Sequence, residues 1–403
     1  MNSQRNTDIS QQLSSAPVGR LLLKLAVPTV VAQLVNLLYN IVDRIYIGHM
    51  PQVGALALTG VGLCFPVVYL ISAFTMLVAQ GGAPRAAIAM GEGDNGRAEQ
   101  IMGGCFTCLV AIAVALTGLF WLFGEQLLWI FGCSEETIVY ALPYMRIYSS
   151  GSLFVMMALG MNMFVTTQGF ATVSMRTVLI GAVCNIVLDP IFIYGLDMGV
   201  EGAALATVIS QAVSGIWVVR FLTGKKTTLR LRKNTLRPSW RLMAPVLALG
   251  VSPFVMQSTE ALLNVSFNAS LQRYGGDVAV GAMTIASTVM QMVWIPAQGL
   301  GQGAQPIISY NYGARNAKRV KEAFFALLKV SCAFLVSFWL LVQLFPRFFI
   351  SIFNSDPQLV ETAVWTLRVY TAVLGMFGVQ MSVQQTFTAI GKAKASLFIA
   401  CLR

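Results

Sequence analysis

The fold is decided by the stretch Gln80-Gly81-Gly82-Ala83-Pro84, which returns as Gln302-Gly303-Ala304-Gln305-Pro306. From these two points, residues 80–181 can be laid on residues 302–403 without a gap, at a constant shift of 222. Further matched pairs are Gly91 with Gly313, Arg97 with Arg319, Arg146 with Arg368, Tyr148 with Tyr370, Gly169 with Gly391, and Ser174 with Ser396. A gapless register of this length indicates an internal duplication.

The two copies differ in how far they extend. The second copy stops at Arg403, opposite Gly181, whereas the first continues to about Thr223. If both copies have the same length, about forty residues are absent from the end of this chain. We therefore expect the chain to be C-terminally truncated, with two further membrane spans in the full repeat.

Composition places the chain in a membrane. Of its 403 residues, 56% are hydrophobic and 11% are charged, and the mean hydropathy is +0.71, whereas soluble domains carry about 25% charged residues. The first residues are polar and lack the apolar core of a cleavable signal. Apolar runs of about 20 residues, long enough to cross a bilayer, lie at 22–47, 57–80, 101–123, 144–168, 175–195, 202–222, 242–269, 279–300, 323–346 and 366–390, and an eleventh begins near 395.

The placement of basic residues predicts the orientation. With the N-terminus inside, about 22 of the 27 Lys and Arg residues fall on the inner side. This positive-inside bias predicts a bacterial-type cytoplasmic membrane and a cytosolic N-terminus. Although the net charge of +11 is compatible with nucleic acid, a cytosolic linker is the favoured interpretation of the most basic loop, which contains Lys225, Lys226, Arg230, Arg232, Lys233, Arg237 and Arg241.

The basic loop divides the chain into two halves. We predict an all-α polytopic membrane protein with an N-lobe over residues 1–228, a basic linker over 229–240 and a C-lobe over 241–403. The N-lobe holds a polar tail and spans 1–6, and the C-lobe holds spans 7–10 and the start of span 11. Six is an even number, so both copies enter the membrane from the same side as parallel repeats. The expected architecture is two six-helix bundles that face each other across a central cleft.

Two other patterns favour structural roles. Residues 91–95 and 313–317 lack the GxxxxGK[ST] spacing of a phosphate-binding loop. They favour turns in which glycine ends one helix and Asp or Asn caps the next. Cys105 and Cys108 form a CxxC inside an apolar run with no second pair, which favours buried small side chains over a metal or redox site. No cofactor is predicted, and no metal beyond a coupling ion.

Three acidic residues lie within predicted spans: Asp43, Asp189 and Glu260. A charge at the centre of a span costs about 2.5–3.5 kcal/mol, so such residues are retained for function or for pairing. Asp43 precedes Gly48, near the end of span 1, by five residues, and Asp189 precedes Tyr194, near the end of span 5, by the same number. Both therefore lie about 7–8 Å below the outer boundary.

Other oxygen donors reach the same level. Thr207 lies five residues inside span 6. Asn185 shares a helix face with Asp189, and Tyr39 with Asp43, because residues four apart are neighbours on a helix. Oxygen ligands suit a hard ion such as Na⁺, and the same two acids can instead carry a proton. The sequence leaves H⁺ and Na⁺ open.

Structural interpretations of these acids also stand. Asp43 can pair with the adjacent Arg44, and Asp189 can cap a kink at the proline that follows it. Glu260, with Gln257 beside it, is open to three interpretations: a second cation or proton site, a group that binds a cationic substrate, or a protonated, hydrogen-bonded carboxyl group.

The chain resembles the MATE (multidrug and toxic compound extrusion) transporters. Residues 39–48 (YNIVDRIYIG) are similar to the family's first-span signature, and residues 185–190 (NIVLDP) to its fifth span. Residues 302–306 (QGAQP) and 310–314 (YNYGA) also resemble family motifs. The resemblance covers essentially the whole chain. It implies a fold of twelve spans.

The resemblance also implies roles for individual residues. An N-lobe cation site is implied at Asp43, Asn185, Asp189 and Thr207, and a surrounding polar network or drug pocket at Asn36, Tyr39, Tyr144 and Asn162. Glu260 resembles a glutamate that some sodium-coupled members use in the C-lobe together with an aspartate of span 10. Span 10 of this chain has Gln380, Gln384 and Gln385 in place of an acid, a departure that argues against a C-lobe sodium site.

The predicted function is a cation-coupled antiporter, driven by H⁺ or Na⁺, that exports organic cations as a monomer. One alternative is a flippase of the same superfamily for lipid-linked precursors. Such a flippase needs basic residues in its cleft, and we expect no Lys or Arg well inside a span of the first half. A second alternative is a membrane scaffold or receptor that does not transport. An enzyme is not predicted, because the sequence has a single histidine and no HExxH motif.

Overall fold

The structure is a computed structural model that describes residues 12–51, 53–351 and 357–401. Within these ranges the chain forms helices and no β-strand. The helices are α1 Val18–Gly48, α2 Gly54–Leu63, α3 Phe65–Gly91, α4 Asn95–Ile130, α5 Glu135–Ser150, α6 Ser152–Met156, α7 Asn162–Thr167, α8 Ala171–Pro190, α9 Gly199–Thr223, α10 Trp240–Gly313, α11 Ala317–Leu344, α12 Pro346–Ser351, α13 Pro357–Tyr370, α14 Leu374–Ala389 and α15 Ala393–Cys401. The predicted all-α class is confirmed.

The described helices also account for the predicted membrane spans. Seven of them are long and apolar enough to cross a membrane, and up to nine if each of two bent pairs counts as one span. One bent pair joins α5 to the segment Ser152–Thr167 at 56°, and the other joins α13 to α14 at 41°. Below, the basic end is the end at which α1 and α10 begin and to which the linker is attached, and the far end is the opposite one.

The remaining predicted span lies inside α10, which is one helical element of 74 residues. A straight helix of that length would measure about 110 Å, several times the thickness of a bilayer core. Yet a Cβ atom added at Gly250 would meet the backbone of Leu77, and one added at Gly313 would meet the backbone of Ile88. Leu77 and Ile88 are only about 16 Å apart along α3. The α10 segment therefore turns back on itself and has room for both predicted spans.

The duplication in the sequence recurs in the helices. Helix α10 begins at Trp240, 222 residues after Val18 begins α1, and α11 begins at Ala317, 222 residues after Asn95 begins α4. The α10 segment therefore corresponds to α1, α2 and α3 together. Matched residues begin matched elements because the two halves keep the same order of spans and turns.

The matched turns before α4 and α11 are built alike. The Asp94 side chain accepts a hydrogen bond from the Arg97 backbone N–H at 2.9 Å, and the Asn316 side chain accepts one from the Arg319 N–H at 3.2 Å. These bonds satisfy N–H groups that a helix start leaves unpaired. The left-handed residues of the turns are Gly93 at φ 84° and Arg315 at φ 54°. The interpretation of both segments as capped turns is confirmed.

Gly91 and Gly313, the last helical residues before these turns, allow the two halves to touch. A Cβ atom at Gly91 would meet the backbone of Tyr310, and one at Gly313 would meet the backbone of Ile88. A shift of 222 converts the first contact into the second. The two halves therefore meet about a pseudo-twofold axis at the basic end, as expected for parallel repeats.

The same relation extends along the neighbouring helices. Gly81 lies against Val246, and Gly303 lies against Ala26, so α3 touches the first part of α10 while the last part of α10 touches α1. Thr29 donates a hydrogen bond to a backbone carbonyl oxygen of α10 at 2.7 Å. We call Gly81, Gly91, Gly303 and Gly313 the glycine seam. It joins the two halves in the part of the molecule near the basic end.

The linker packs against the first half. The Gln168 side chain, fully buried after α7, accepts a hydrogen bond from the Leu229 N–H at 2.7 Å. Glu99, at the start of α4, accepts one from the Arg230 N–H at 2.9 Å and forms an ion pair with Arg232 at 3.4 Å. Arg232, one of the basic residues of the loop, is therefore paired with an acid within the protein.

Helix α3 extends further than the span 2 predicted from the sequence. It continues to Gly91, well past the predicted end of span 2 at residue 80, because glycine and proline are tolerated inside membrane helices that pack against neighbours. Arg85 therefore lies within a helix of the first half, about 9 Å from its end. The Arg85 side chain is half-buried, and its Nε atom is buried without a hydrogen-bond partner.

Candidate functional site

The candidate site lies inside the first half, where α8 packs between α1 and α9. The face of α8 toward α9 carries Asn185 and Asp189, whose side chains are 1% and 0% exposed. After Pro190 the helix continues as a short π-helical segment, Ile191–Gly195, that leads to the far end. The helix thus holds both polar residues within the protein, about one to two turns below that end.

Three of the predicted residues form a hydrogen-bonded group. The Asn185 amide donates to the Asp189 carboxyl oxygen Oδ1 at 3.0 Å. The same amide nitrogen approaches the Thr207 hydroxyl oxygen at 3.4 Å. The i,i+4 relation within α8 and the equal depth on α9 therefore bring these side chains together, as the sequence predicted.

Asp43 joins this group electrostatically. Its carboxyl group interacts with that of Asp189 across the contact between α1 and α8. Within the described part of the chain, Asp43 makes no ion pair shorter than 4.0 Å. Arg44 instead places its guanidinium over the Phe65 ring, 4.5 Å from the centroid. Asp43 and Arg44 therefore form no close ion pair, although the guanidinium still acts on the Asp43 carboxyl group electrostatically.

The group keeps oxygens that are not satisfied. The buried atoms Asp43 Oδ1, Asn185 Oδ1 and Asp189 Oδ2 have no hydrogen-bond partner. A buried acceptor without a donor costs about 1–3 kcal/mol, and more if it is charged. A proton or a small cation would remove that cost. The donor set, which contains only oxygen, fits a hard monovalent ion.

An aromatic wall stands beside the acids. The Tyr144 and Tyr148 rings are buried and stacked, with centroids 6.1 Å apart and planes at 9°. Both phenols and that of Tyr39 interact electrostatically with Asp43. The Tyr39 hydroxyl accepts a hydrogen bond from the Gln211 amide at 3.4 Å. Sequence reasoning missed Tyr148, although its i,i+4 spacing from Tyr144 is a signal for it.

A cavity continues from this group between α1, the fourth span, α8 and α9. It offers about 20 Å³ to the centre of a water molecule, enough for one water or one small ion. Its polar lining consists of Asn36, Tyr39, Thr177, Asn185, Thr207, Ser210, Gln211 and Ser214. The predicted Asn36 and Tyr39 are thus part of the same polar interior. The other lining residues on α9 were missed because single Ser and Gln residues are unremarkable in a membrane helix.

Asn162 is not brought to the acids. Its amide donates to the Ser174 carbonyl oxygen at 3.3 Å. Ser174 is 15 residues before Asp189 on α8, which corresponds to about 22 Å along the helix. The Asn162 side chain is only 8% exposed, and its Oδ1 atom has no partner. Asn162 therefore belongs to the region near the basic end.

The second half holds a neutral polar cluster. The Gln384 amide donates to the Ser252 hydroxyl at 2.8 Å and to the Ser396 hydroxyl at 3.0 Å. Gln380 is half-buried, and both of its amide atoms lack partners. Gln385 lies against Gly301.

The predicted C-lobe acid cannot be located in this cluster. Gln257 is half-buried on α10, and the side chain of Glu260 lies outside the described residues.

A comparison with protein families identifies the architecture. The MatE family model matches residues 28–191 and 254–403, which together make up most of the chain. The chain belongs to the MatE family. The resemblance read from the first-span and fifth-span motifs is thereby confirmed, and the matched ranges include Asp43, Asn185 and Asp189.

Two multidrug export proteins align with nearly the whole of this chain. The multidrug export protein MepA of Staphylococcus haemolyticus (strain JCSC1435) is 24% identical over 384 residues, which are 95% of this chain and 84% of MepA. MepA of Staphylococcus aureus (strain N315) is 23% identical over 393 residues, which are 96% of this chain and 85% of the relative.

Solved structures agree on the fold. A crystal structure of MATE in complex with MaD3S has a TM-score of 0.90 at 24% identity and covers 97% of this chain and 87% of that one. A MOP superfamily transporter from Pyrococcus furiosus, whose reverse polarity of binding pocket suggests a different function, has a TM-score of 0.89 at 23% identity and covers 96% of this chain and 86% of that one. At this level of identity the likeness shows the fold alone.

Proposed function

We propose that this MatE-family protein is a cation-coupled antiporter that uses an inward gradient of H⁺ or Na⁺ to export organic cations across the cytoplasmic membrane. The proposal includes a cytosolic basic end, on the strength of the positive-inside bias. Asp43, Asn185, Asp189 and Thr207 are the proposed ion site. The relatives named as multidrug export proteins support the transport of drug-like cargo.

One observation carries the proposal: two interacting carboxyl groups, Asp189 fully buried and Asp43 half-buried, form no close ion pair among the described residues. Asp189 is fully buried, and neither it nor Asp43 forms an ion pair. Leaving a charge uncompensated in the interior is strongly unfavourable, so such a pair must take up protons or a cation. This requirement links the occupancy of the site to an ion gradient.

Coupling then follows from a difference in affinity between two arrangements. An ion that neutralises Asp43 and Asp189 favours one packing of α1 against α8, whereas the organic cation favours the other. Equal affinities for both arrangements would shift nothing. Because the glycine seam joins the two halves near the basic end, it supports the view that the arrangement in this structure is the one open toward the far end. An ion from outside then reaches Asp43 and Asp189 first.

The cargo is proposed to be cationic. The aromatic wall of Tyr39, Tyr144 and Tyr148 beside Asp43 supports this class of ligand, because the faces of aromatic rings attract cations. The 19 methionines of the chain give apolar surfaces that adapt to varied shapes. We expect no cofactor, and we expect the monomer in membrane lipid to be the transporting unit.

The test is export of a fluorescent organic cation from vesicles under separate proton and sodium gradients. Wild type is compared with Asp43→Asn and Asp189→Asn, which keep size and remove charge. We expect one of the two gradients to drive export in wild type and neither to do so in the variants. Normal export by both variants would show that the proposed ion site is wrong.

Arg85 favours a second candidate, a flippase for lipid-linked precursors. A half-buried guanidinium within α3 whose Nε has no partner supports recognition of an anionic headgroup. In the same vesicles, a labelled lipid-linked pyrophosphate would cross in an Arg85-dependent manner. Failure of wild type to move that lipid, together with export of the organic cation, would exclude this candidate.

A further inference from the structure

A polar face runs along α8 from the proposed ion site toward the basic end. Asp189, Asn185, Gly181, Thr177 and Ser174 are spaced by four, four, four and three residues, so all of them lie on one side of the helix. This face covers about 22 Å, from the acids toward the basic end. Val178 and Ala182, beside this face, also line the cavity.

A second polar face on α9 stands opposite. Thr207 meets Asn185 at 3.4 Å, and the Ser214 hydroxyl donates to the Thr177 carbonyl oxygen at 3.2 Å. Ser210 lies between these two contacts, and its side chain is 2% exposed. The two helices therefore enclose a polar column within the first half, apart from the glycine seam between the halves.

Unsatisfied groups mark this column at successive depths. Asp189 Oδ2, Asn185 Oδ1, Ser210 Oγ and Asn162 Oδ1 are buried and have no hydrogen-bond partner. The Asn162 amide donates a hydrogen bond to Ser174, which lies at the end of the column nearest the basic end. Buried polar atoms of this kind are normally satisfied by ordered water. The cavity lined by Asn185 and Ser210 has the volume for it, about 20 Å³ for a water centre.

We infer that this column holds ordered water, one molecule of it in the cavity at Asn185 and Ser210, and is the route by which the coupling cation leaves Asp189 toward the basic end. The organic cation takes the cleft between the halves, so the two ligands leave by separate paths. The inference rests on the proposed function, because it assigns an exit to the ion that the acids bind. Asn162, which lies far from the acids, then marks the end of the path nearest the basic end.

The inference is tested by filling the column. Gly181→Ala adds a methyl group to the cavity wall, where it crowds the Ser214 hydroxyl that bonds Thr177 and lies in ordinary contact with the Ser210 carbonyl oxygen. Ser210→Val replaces an unpaired hydroxyl with apolar bulk. At the end of the column nearest the basic end, Asn162→Leu replaces an amide with apolar bulk. Gly118→Ala in α4 is the matched control, since a Cβ atom there meets nothing within 4 Å.

Two transport assays in vesicles separate the ion path from the rest of the protein. One measures net export of a fluorescent organic cation under the ion gradient that drives wild type. The other measures exchange of that cation across vesicles with no ion gradient, which does not require the ion to leave. We expect all three column variants to lose about tenfold or more in driven export. Gly181→Ala and Ser210→Val should keep exchange within about twofold, and the control should change neither.

Water in the column is measured independently by X-ray radiolytic labelling of the purified protein. Leu159, which lines the cavity, is expected to be oxidised in wild type and protected in Ser210→Val. This readout does not involve transport, so it separates failure of the column from failure of the antiport proposal. If wild type shows no driven export but Leu159 is labelled, the water in the column stands, whereas the proposed function fails together with the ion route that rests on it.

Three results would overturn the inference. One is normal driven export in both Gly181→Ala and Ser210→Val. Another is an equal loss of driven export and exchange in both of them, since a blocked ion path spares exchange. The third is wild-type behaviour of Asn162→Leu, which would show that the route does not continue to the basic end.

Discussion

The two halves place an amide side chain at the same point of the repeat and use it differently. Asn162 reaches the Ser174 backbone carbonyl at 3.3 Å, and Gln384, 222 residues later, reaches the Ser396 hydroxyl at 3.0 Å. The longer glutamine also bonds Ser252 at 2.8 Å. The second half thus connects three helices through the amide nitrogen of Gln384, whereas the Asn162 amide makes a single bond. The amide oxygen of each residue is buried without a partner.

The difference shows how one duplicated scaffold can specialise. In the first half, unsatisfied oxygens accumulate around Asp43 and Asp189, where a cation can compensate them. In the second half, the hydroxyls of Ser252 and Ser396 bond each other at 3.0 Å as well as the amide of Gln384. Internal pairing gives that cluster a structural use, whereas unpaired acids give the first half a reason to bind an ion.

The largest effect is expected from Asp189→Asn, which removes charge from the first half only. Ion-driven export should fall by about a hundredfold, because the coupling between ion and cargo is lost. Vesicle transport under the driving gradient measures it. Asp94→Asn is the matched control, since Asn316 caps the corresponding helix with that residue type. A similar loss in the control would contradict a specific role for Asp189.

Symmetric damage is expected from Gly91→Val and Gly313→Val. Each side chain would collide with backbone of the other half, so each variant should lose about 3 kcal/mol of stability. Thermal unfolding in detergent measures both, with Gly118→Val as the control in open space. Unequal losses from the two variants would show that the pseudo-twofold contact does not carry equal weight on its two sides.

A smaller and asymmetric effect is expected from the matched amides. Gln384→Leu removes the amide hydrogen bonds to Ser252 and Ser396 in the second half and should cost about 2 kcal/mol in unfolding free energy. Asn162→Leu removes a single hydrogen bond and should cost less. Thermal melts of the two variants test the order. Equal costs would indicate that the extra bond to Ser252 contributes nothing.

The smallest effect is expected at the helix caps. Asp94→Ala and Asn316→Ala should each destabilise the protein by about 1 kcal/mol, because each removes one cap of a helix start. Melting temperatures measured side by side would reveal a difference. Asp94→Asn and Asn316→Asp, which preserve a capping oxygen, should remain near wild type.

Local spacing predicted much of the site. Asn185 and Asp189 meet because four residues make about one turn of a helix. Thr207 meets them because depth in a membrane can be counted from the ends of spans. The spans themselves follow from hydropathy, which needs only neighbouring residues.

Other features require contacts that no local pattern contains. Arg85 falls inside α3 because packing lets that helix continue through Gly81 and Pro84. Gly91 and Gly313 look like helix stops, yet their use is the contact between the halves. Ser210 became visible only when the neighbouring helices were in position.

By itself the sequence determined the class of protein, the repeat, the spans and the pairing of Asn185 with Asp189. Each of these depends on composition or on residues a few positions apart. Only the tertiary structure decided that Arg44 stacks on Phe65 without a close ion pair to Asp43, and that Asn162 lies far from Asp43 and Asp189. Which buried oxygens remain unpaired depends on side chains from helices distant in sequence, and that is where the chemistry of the site arises.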